Sequence, residues 1–263
     1  MALTNFDAYI DGRSRLHIWT PRLKLIGLGA LMFSFAAVKH PVLVAPMLCV
    51  AALLYGCSGL PLLFLRRRLR YPGLFILAVV LVLPFSAGST VLAQWGPLAL
   101  RQEGLITMVL VVSRFLSILT VGFALLGTTP FLTLLRAMRS LGLPTILADM
   151  TLLTYRYLFE TASMLSTMQQ SMHLRGFGYR KRWLKVERQT ITQLAGLLGT
   201  LLIRSYERSE RVYQAMQLRG YGRLTQAQLT AKQPIDSISW LLTVGCAIVA
   251  IAFITFEVVL SIP

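Results

Sequence analysis

Five long apolar segments divide this chain, and their length is the feature that most restricts its fold. They run over residues 23–38, 42–65, 71–93, 104–126 and 240–260. A bilayer core of about 30 Å is crossed by roughly 20 helical residues. Hydrophobic residues make up 56% of the chain and charged residues only 14%, whereas a soluble domain carries roughly 25% charged residues. The sequence therefore predicts an all-α integral membrane protein with about five transmembrane helices.

The basic residues predict the orientation of these helices. The chain has 26 lysines and arginines against 10 acidic residues. If the N-terminus is cytoplasmic, 23 of the 26 fall on the inner side, Lys39 and Arg101 fall outside, and Arg114 lies within a span. Because cytoplasmic loops carry the excess of lysine and arginine, we expect a multi-pass protein of the inner (cytoplasmic) membrane with an external C-terminus. In such a protein the basic surplus indicates the lipid bilayer and a negatively charged protein partner, not nucleic acid.

The pattern also predicts three domains. Residues 1–126 form a membrane domain with four transmembrane helices, and residues 240–263 form a C-terminal transmembrane helix. Between them, residues 127–239 interleave apolar and charged positions and are predicted to form a cytoplasmic helical domain. Segments 146–168 and 190–203 are apolar enough to resemble spans, but a hairpin of the two would place a strongly basic loop outside. Whether they are partly embedded in the membrane stays open.

An internal repeat is the most specific feature of the middle domain. Residues 170–178 and 214–222 share the pattern Q-[SA]-M-x-L-R-G-[FY]-G at an offset of 44 residues, with six of nine positions identical. Each copy follows a long helical pattern, so the sequence predicts two long helices that end in Arg-Gly. Upstream, residues 129–143 are predicted to form an amphipathic helix.

The repeat predicts a pair of docking elements. Glycine favours the left-handed conformation that ends a helix, and an arginine just before it complements the negative helix end. Methionine and an aromatic ring beside an exposed helix end form an adaptable apolar surface around a fixed charge, which suits a groove with a carboxylate on a partner. The candidate site residues are Met172, Leu174, Arg175, Gly176 and Phe177 in the first copy, and Met216, Leu218, Arg219, Gly220 and Tyr221 in the second.

Catalytic and metal-binding residues are not predicted. The three histidines, His17, His40 and His173, lie in separate regions, and the chain has no HExxH, GxSxG or phosphate-loop pattern. We therefore expect no catalytic residue, no metal ligand set and no cofactor bound by this chain. Arg114 lies inside an apolar segment, where a charge is costly and faces the protein interior or a partner. Intramembrane coupling and simple interhelical pairing both stay open for it.

Together these features resemble the transmembrane T component of energy-coupling factor (ECF) transporters, most closely the cobalt-type CbiQ family. The likeness rests on the paired Arg-Gly motifs, on four predicted spans before a basic domain and one after it, and on the lead Arg15-Leu16-His17-x-x-x-Pro21-Arg22-x-Lys24-Leu25. It covers nearly the whole chain. This sequence departs from the family in having Leu174 and Leu218 where alanine is usual.

The resemblance implies a non-catalytic scaffold subunit of an ABC-type importer. Two ABC-type ATPase subunits, which bind ATP and magnesium, would dock on Arg175 and Arg219. A membrane-embedded S subunit, CbiM-like and with or without a small accessory membrane subunit, would bind cobalt. Nickel or a vitamin stays open as the substrate, and a self-contained membrane carrier is the less favoured alternative because the basic middle domain is nearly half of the chain.

Overall fold

Helices account for most of the described structure. The computed structural model describes residues 10, 12, 14–86, 91–95, 98–176, 188–221 and 237–261. In chain order the elements are α1 (Arg15–Ile18), α2 (Pro21–Ala37), a 3-10 turn (Pro41–Leu43), α3 (Val44–Ser58), α4 (Leu62–Ser86), β1 (Val91–Trp95), β2 (Leu98–Arg101), α5 (Gln102–Gly127), α6 (Phe131–Ser140), α7 (Thr145–Leu174), α8 (Arg188–Leu218) and α9 (Ser237–Ser261). The predicted all-α class is confirmed. The two short strands pair antiparallel, an addition that the sequence did not predict.

The helices divide into two compact units. The membrane unit comprises Asp7–Leu141 and Pro234–Pro263. Helix α2 is its central element and packs against α5, α6 and α9, while α3 and α4 each pack against α5. Buried side chains of α2, among them Leu28, Leu31 and Phe35, meet apolar residues of these neighbours, and the rings of Phe35 and Phe253 stand edge to face at 5.4 Å.

Three helical segments of the described chain are long and apolar enough to cross a membrane. They are Pro41–Ser58, Glu103–Gly127 and Ser237–Leu260. The protein is therefore a multi-pass membrane protein. Helix α2 has 17 residues, and α4 carries four arginines in its first half, so neither is among the three. The count of five spans and the orientation of the termini stay predictions.

Two predicted boundaries between apolar segments are wrong. The segment 42–65 was expected to be continuous, but α3 ends at Ser58 because Gly59 adopts a left-handed conformation, with φ of +67°. A second helix, α4, then starts at Leu62 and includes the arginines of 66–70 that were expected to separate two spans. The segment 71–93 likewise does not continue as helix to its end, since strand β1 begins at Val91.

The amphipathic helix predicted over residues 129–143 is α6. Its buried residues Leu134, Leu135 and Ala137 share one face, and the helix packs against α2 within the membrane unit. The second compact unit, the two-helix unit, comprises Gly142–Gln233 and contains α7 and α8. Helix α6 thus groups with the membrane helices, although the sequence pattern assigned it to the 127–239 domain. The predicted domain limits stay predictions.

Candidate functional site

The two Arg-Gly motifs end the two longest helices of the described chain. Helix α7 has 30 residues and α8 has 31, and each stops one residue before its arginine. Gly176 and Gly220 have φ of +86° and +77°, the left-handed conformation that glycine adopts without steric strain. The helix ends predicted from the repeat are therefore confirmed.

Backbone hydrogen bonds define how these helices stop. In the second copy, the amide of Gly220 donates to the carbonyl of Gln217 at 2.9 Å, and the amide of Tyr221 donates to that of Met216 at 3.0 Å. This pair of bonds is the Schellman arrangement. In the first copy, the amide of Gly176 donates to the carbonyl of His173 at 3.1 Å, which is the bond equivalent to that of Gly220. Phe177 lies outside the described residues.

The side chains of the motifs present a cation beside an apolar surface. Arg175 and Arg219 are exposed, and the leucines before them are 85% and 91% exposed at positions 174 and 218. Met172 and Met216 are half-buried on their helices. A leucine that is almost fully exposed in both copies has apolar surface that a partner can cover, next to an arginine that can bind a carboxylate.

Helices α7 and α8 run antiparallel. The guanidinium of Arg208 binds the carboxylate of Glu160 at 2.6 Å and lies 5.8 Å from the ring centre of Tyr157. Near the end of α8, the hydroxyl of Tyr221 donates to the carboxylate of Asp149, close to the start of α7, at 3.1 Å. Arg156 lies four residues before Glu160 on the same helix, a spacing at which an ion pair can form. The structure pairs Glu160 with Arg208 because the facing helix brings this cation closer.

The antiparallel arrangement places the two Arg-Gly ends far apart. Asp149 marks the position of the second copy along α7, and Arg175 ends the same helix 26 residues later. At a rise of 1.5 Å per residue, this is a separation of about 39 Å along the helix. Each motif therefore lies at its own end of the helix pair, and one partner molecule of ordinary groove size cannot bind both at one spot.

An apolar cavity of about 470 Å³ lies between the two helices. Its lining includes Met150, Leu153, Met164, Leu201 and Met216. Outside it, several large apolar residues of the two-helix unit are exposed, namely Ile146, Leu147, Leu152 and Leu158 of α7 and Ile191, Leu194, Leu198, Leu202 and Ile203 of α8. So much exposed apolar surface is typical of a protein or membrane contact.

Arg114 makes an interhelical contact in the membrane unit. Its guanidinium donates to the carbonyl of Val38, which follows the last residue of α2. Glu257 of α9 lies at the same turn, where its carboxylate accepts a hydrogen bond from the amide of His40 at 3.4 Å. Glu257 is buried, with 8% exposure. The pairing alternative for Arg114 is thus seen in the structure, and its role in coupling is untested.

The described residues contain no group of three or more histidine, cysteine, aspartate or glutamate side chains that could hold a metal ion. His17 contacts Ser14 and the carbonyl of Ile10, so it takes part in the local structure of the N-terminal segment. His173 lies in the last turn of α7.

Sequence reasoning missed the role of Lys24. It was counted with the cytoplasmic charges, yet its side chain is 1% exposed. Its ammonium donates to the carbonyl of Leu16 at 2.9 Å and to the hydroxyls of Thr128 and Thr129 at 2.5 and 2.8 Å. The available signal was its position inside the conspicuous lead motif, but the two threonines lie more than 100 residues away in the sequence.

Comparison with known proteins decides the family. The family model CbiQ, described as "Cobalt transport protein", matches residues 12–229, a stretch that contains the lead motif and both Arg-Gly copies. The chain belongs to the CbiQ family. Among curated relatives, "Energy-coupling factor transporter transmembrane protein EcfT" of Limosilactobacillus fermentum is 24% identical over 97% of this chain and 98% of that protein. "Cobalt transport protein CbiQ" of Rhodobacter capsulatus is 28% identical over 75% of this chain and 76% of that protein.

Membership of the CbiQ family and the apolar helices support the same general function. The chain is a transmembrane component of a transport system of the ECF type. The suspected resemblance is thereby confirmed at the level of the family.

Proposed function

We propose that this chain is the scaffold subunit of an ECF-type importer, which couples ATP hydrolysis by two cytoplasmic ABC-type ATPases to substrate uptake through a membrane-embedded S subunit. The observation that carries the proposal is the pair of Arg-Gly helix ends, which have matching caps and matching exposure and lie at opposite ends of one antiparallel helix pair. Catalysis then belongs to the ATPases, and this chain transmits movement.

The geometry supports two separate ATPase contacts. Two antiparallel helices of nearly equal length, each ended by the same motif, are related by an approximate two-fold axis across the pair. A pair of identical or similar ATPases has the same symmetry, so each can meet one motif in the same way. The separation of about 39 Å along α7 leaves room for one globular subunit at each end.

Each motif offers the chemistry of a small docking element. An exposed arginine binds a carboxylate in a groove through two parallel hydrogen bonds, and the neighbouring exposed leucine and half-buried methionine cover apolar surface around it. The left-handed glycine lets the chain turn away immediately after the arginine. The exposed side chains at the helix end can therefore enter a concave surface on a partner.

Movement is transmitted because α7 and α8 are continuous. When ATP binding draws two ATPases together, the two ends of the helix pair are displaced toward each other, and the helices rotate as rigid rods. The exposed apolar residues of α7 and α8 would be covered by the S subunit, which is tilted by this rotation and releases its substrate. The antiparallel contact between Glu160 and Arg208 supports this lever arrangement.

Cobalt is the proposed substrate, held by the S subunit. The family description and the name of the Rhodobacter relative support this choice, and nickel or a vitamin is the alternative. The distribution of lysine and arginine supports a cytoplasmic position for the two-helix unit, an internal N-terminus and an external C-terminus in the cytoplasmic membrane.

The test compares two doubly charge-reversed variants in the native host. The first is Arg175→Glu with Arg219→Glu, and the control is Arg136→Glu with Arg211→Glu, which changes the net charge equally at exposed sites outside the motifs. Affinity purification followed by mass spectrometry measures the retained ATPases, and cobalt uptake is measured in the same cells. We expect the motif variant to lose the ATPases and cobalt uptake, and the control to keep the ATPases and cobalt uptake. Wild-type ATPase retention and uptake in the motif variant would overturn the proposal.

A further inference from the structure

Polar contacts of the N-terminal lead concentrate at two places in the membrane unit, just before α6 and at the first turns of α9. We define the lead segment as residues 10, 12 and 14–24. The chain leaves the membrane unit after Leu141, at the end of α6, and returns to it at Pro234, just before α9.

The lead segment is bonded to the turn that precedes α6. The ammonium of Lys24 donates to the hydroxyls of Thr128 and Thr129, and within the lead itself to the carbonyl of Leu16. The amide of Ile10 donates to the carbonyl of Gly127 at 3.0 Å. Helix α6 begins directly after this turn, so the direction in which α6 starts is fixed by these bonds.

The same segment is bonded to the first turns of α9. The indole of Trp19 donates to the hydroxyl of Thr243 at 3.1 Å, and the amide of Thr20 donates to the hydroxyl of Ser239 at 3.0 Å. Trp19 and Ser239 are buried, with 3% and 1% exposure. The starts of α6 and α9 are thus both attached to one short segment, although they lie about 100 residues apart in the sequence.

Lys24 is the buried charge at the centre of this arrangement. An ammonium has three donors, and the acceptors at 2.5 to 2.9 Å are one carbonyl and two hydroxyls. The hydroxyl of Thr128 itself donates to the carbonyl of Ala124 at 2.5 Å, which leaves its lone pairs for Lys24. An isolated cation in a protein interior is costly, whereas one whose donors are all bonded holds the groups around it in place.

We propose that the lead segment is a joint that holds α6 and α9 together as one body, and that Lys24 is its positioning residue. The inference rests on the proposed coupling function. Lys24 holds α6 and the lead together, and the lead holds α9. When the two-helix unit rotates, α6 and α9 then move as one body instead of independently.

The first arm of the test measures uptake per ATP hydrolysed by the complete transporter in proteoliposomes. Lys24→Met removes the ammonium and keeps a side chain of similar length. Ser34→Ala is the matched control, because Ser34 is an equally buried polar residue of α2 whose hydroxyl donates to the carbonyl of Ala250 in α9 at 2.9 Å, away from the lead. We expect Lys24→Met to retain its ATPases and their hydrolysis while uptake per ATP falls at least fivefold. Ser34→Ala should stay within twofold of the wild type.

A second pair of variants covers the case in which Lys24→Met does not fold. Thr128→Val with Thr129→Val removes both hydroxyl acceptors and keeps the side-chain shape, whereas Thr128→Ser with Thr129→Ser keeps the hydroxyls. We expect the valine pair to lower uptake per ATP at least threefold and the serine pair to leave it unchanged. If Lys24→Met or the valine pair assembles and couples within twofold of the wild type, the joint does not exist. Loss of folded protein alone, with normal coupling in the remainder, also overturns the proposal.

The second arm uses hydrogen exchange of the purified full chain in nanodiscs, without partners. In Lys24→Met, the protection factors of the amides of residues 131–141 and 237–243 should fall at least tenfold. Those of residues 190–218 should stay unchanged. Unchanged protection in either of the first two segments would contradict the joint. This arm does not depend on ATPase binding. If the wild-type chain binds no ATPase, the proposed function is overturned, but the joint can still be tested.

Discussion

The ends of α7 and α8 share one motif but differ in how they are held. Both stop at an arginine followed by a left-handed glycine, and both expose the preceding leucine. Only the second copy carries a hydroxyl on its aromatic residue, and that hydroxyl bonds to Asp149 of the opposite helix. The first copy has Phe177 at the equivalent position, which has no hydroxyl. The comparison teaches that the repeat encodes two matching helix ends, one of which has an extra attachment to the helix pair.

The largest expected effect concerns the arginines. Arg175→Glu and Arg219→Glu, made singly, should each weaken association of one ATPase roughly 30-fold, the effect of about 2 kcal/mol expected for a central interface arginine. The two losses should agree within about threefold, because the docking surfaces match. Titration of each variant with purified ATPase measures this, and Arg211→Glu serves as the control for charge. A wild-type affinity for the ATPase in either single variant would show that the two helix ends are not equivalent.

The glycines should give the next largest effect. Gly176→Ala and Gly220→Ala place a Cβ in the left-handed region and should each destabilise the two-helix unit by about 1 kcal/mol. Gly196→Ala and Gly199→Ala are matched controls, since these glycines lie inside α8 with open space around them, where alanine stabilises a helix by about 0.5–1 kcal/mol. Chemical unfolding followed by circular dichroism measures both. Effects of the same sign at all four sites would refute the assignment of the caps.

Loss of the ion pair between α7 and α8 should lower the stability of the two-helix unit by a smaller amount. Glu160→Gln is expected to cost about 0.5–1 kcal/mol, because the pair is partly exposed but is joined by the contact of Arg208 with Tyr157. Glu207→Gln loses only the pair with Arg211 within α8 and should cost about 0.3 kcal/mol. A double-mutant cycle of Glu160→Gln with Arg208→Gln measures the coupling. Additive effects would show that the pair does not hold the two helices together.

The smallest effect is expected for the residue that distinguishes the two ends. Tyr221→Phe makes the second copy chemically like the first and should cost about 0.5 kcal/mol for one partly exposed hydrogen bond. Tyr213→Phe is the control, since Tyr213 is an exposed tyrosine of the same helix. Unfolding of both variants in parallel gives the difference. A cost equal to that of Tyr213→Phe would leave the two ends without any measurable asymmetry.

The sequence predicted what depends on local pattern. The helices at 23–38, 104–126 and 240–260 were placed to within about three residues, because long apolar runs specify helices in a membrane protein. The helix ends at Gly176 and Gly220 were predicted because a left-handed cap is a property of a few adjacent residues. The arrangement of the two motifs at opposite ends of an antiparallel pair was not predicted, since it depends on contacts between residues such as Asp149 and Tyr221.

The predictions that failed concern features that depend on distant residues or on competing local signals. The sequence pattern predicts Lys24 as an exposed cation at the start of a span. Only the fold shows that Thr128 and Thr129 contact it. Glu160 had an arginine at i,i+4 spacing, yet the facing helix supplied a closer one. At Gly59 a single glycine ended α3 inside an apolar run, and periodicity alone did not distinguish this glycine from the tolerated ones.

Site-specific photo-cross-linking tests the central claim most directly. A photoreactive phenylalanine analogue is placed at Leu174, at Leu218 or, as a control, at Leu241, an exposed residue of α9, and the complex is irradiated in native membranes. The account predicts that positions 174 and 218 each form a covalent adduct with an ATPase subunit and that position 241 does not. If neither helix end is cross-linked to an ATPase while the complex transports normally, the two Arg-Gly ends are not the docking elements of this transporter.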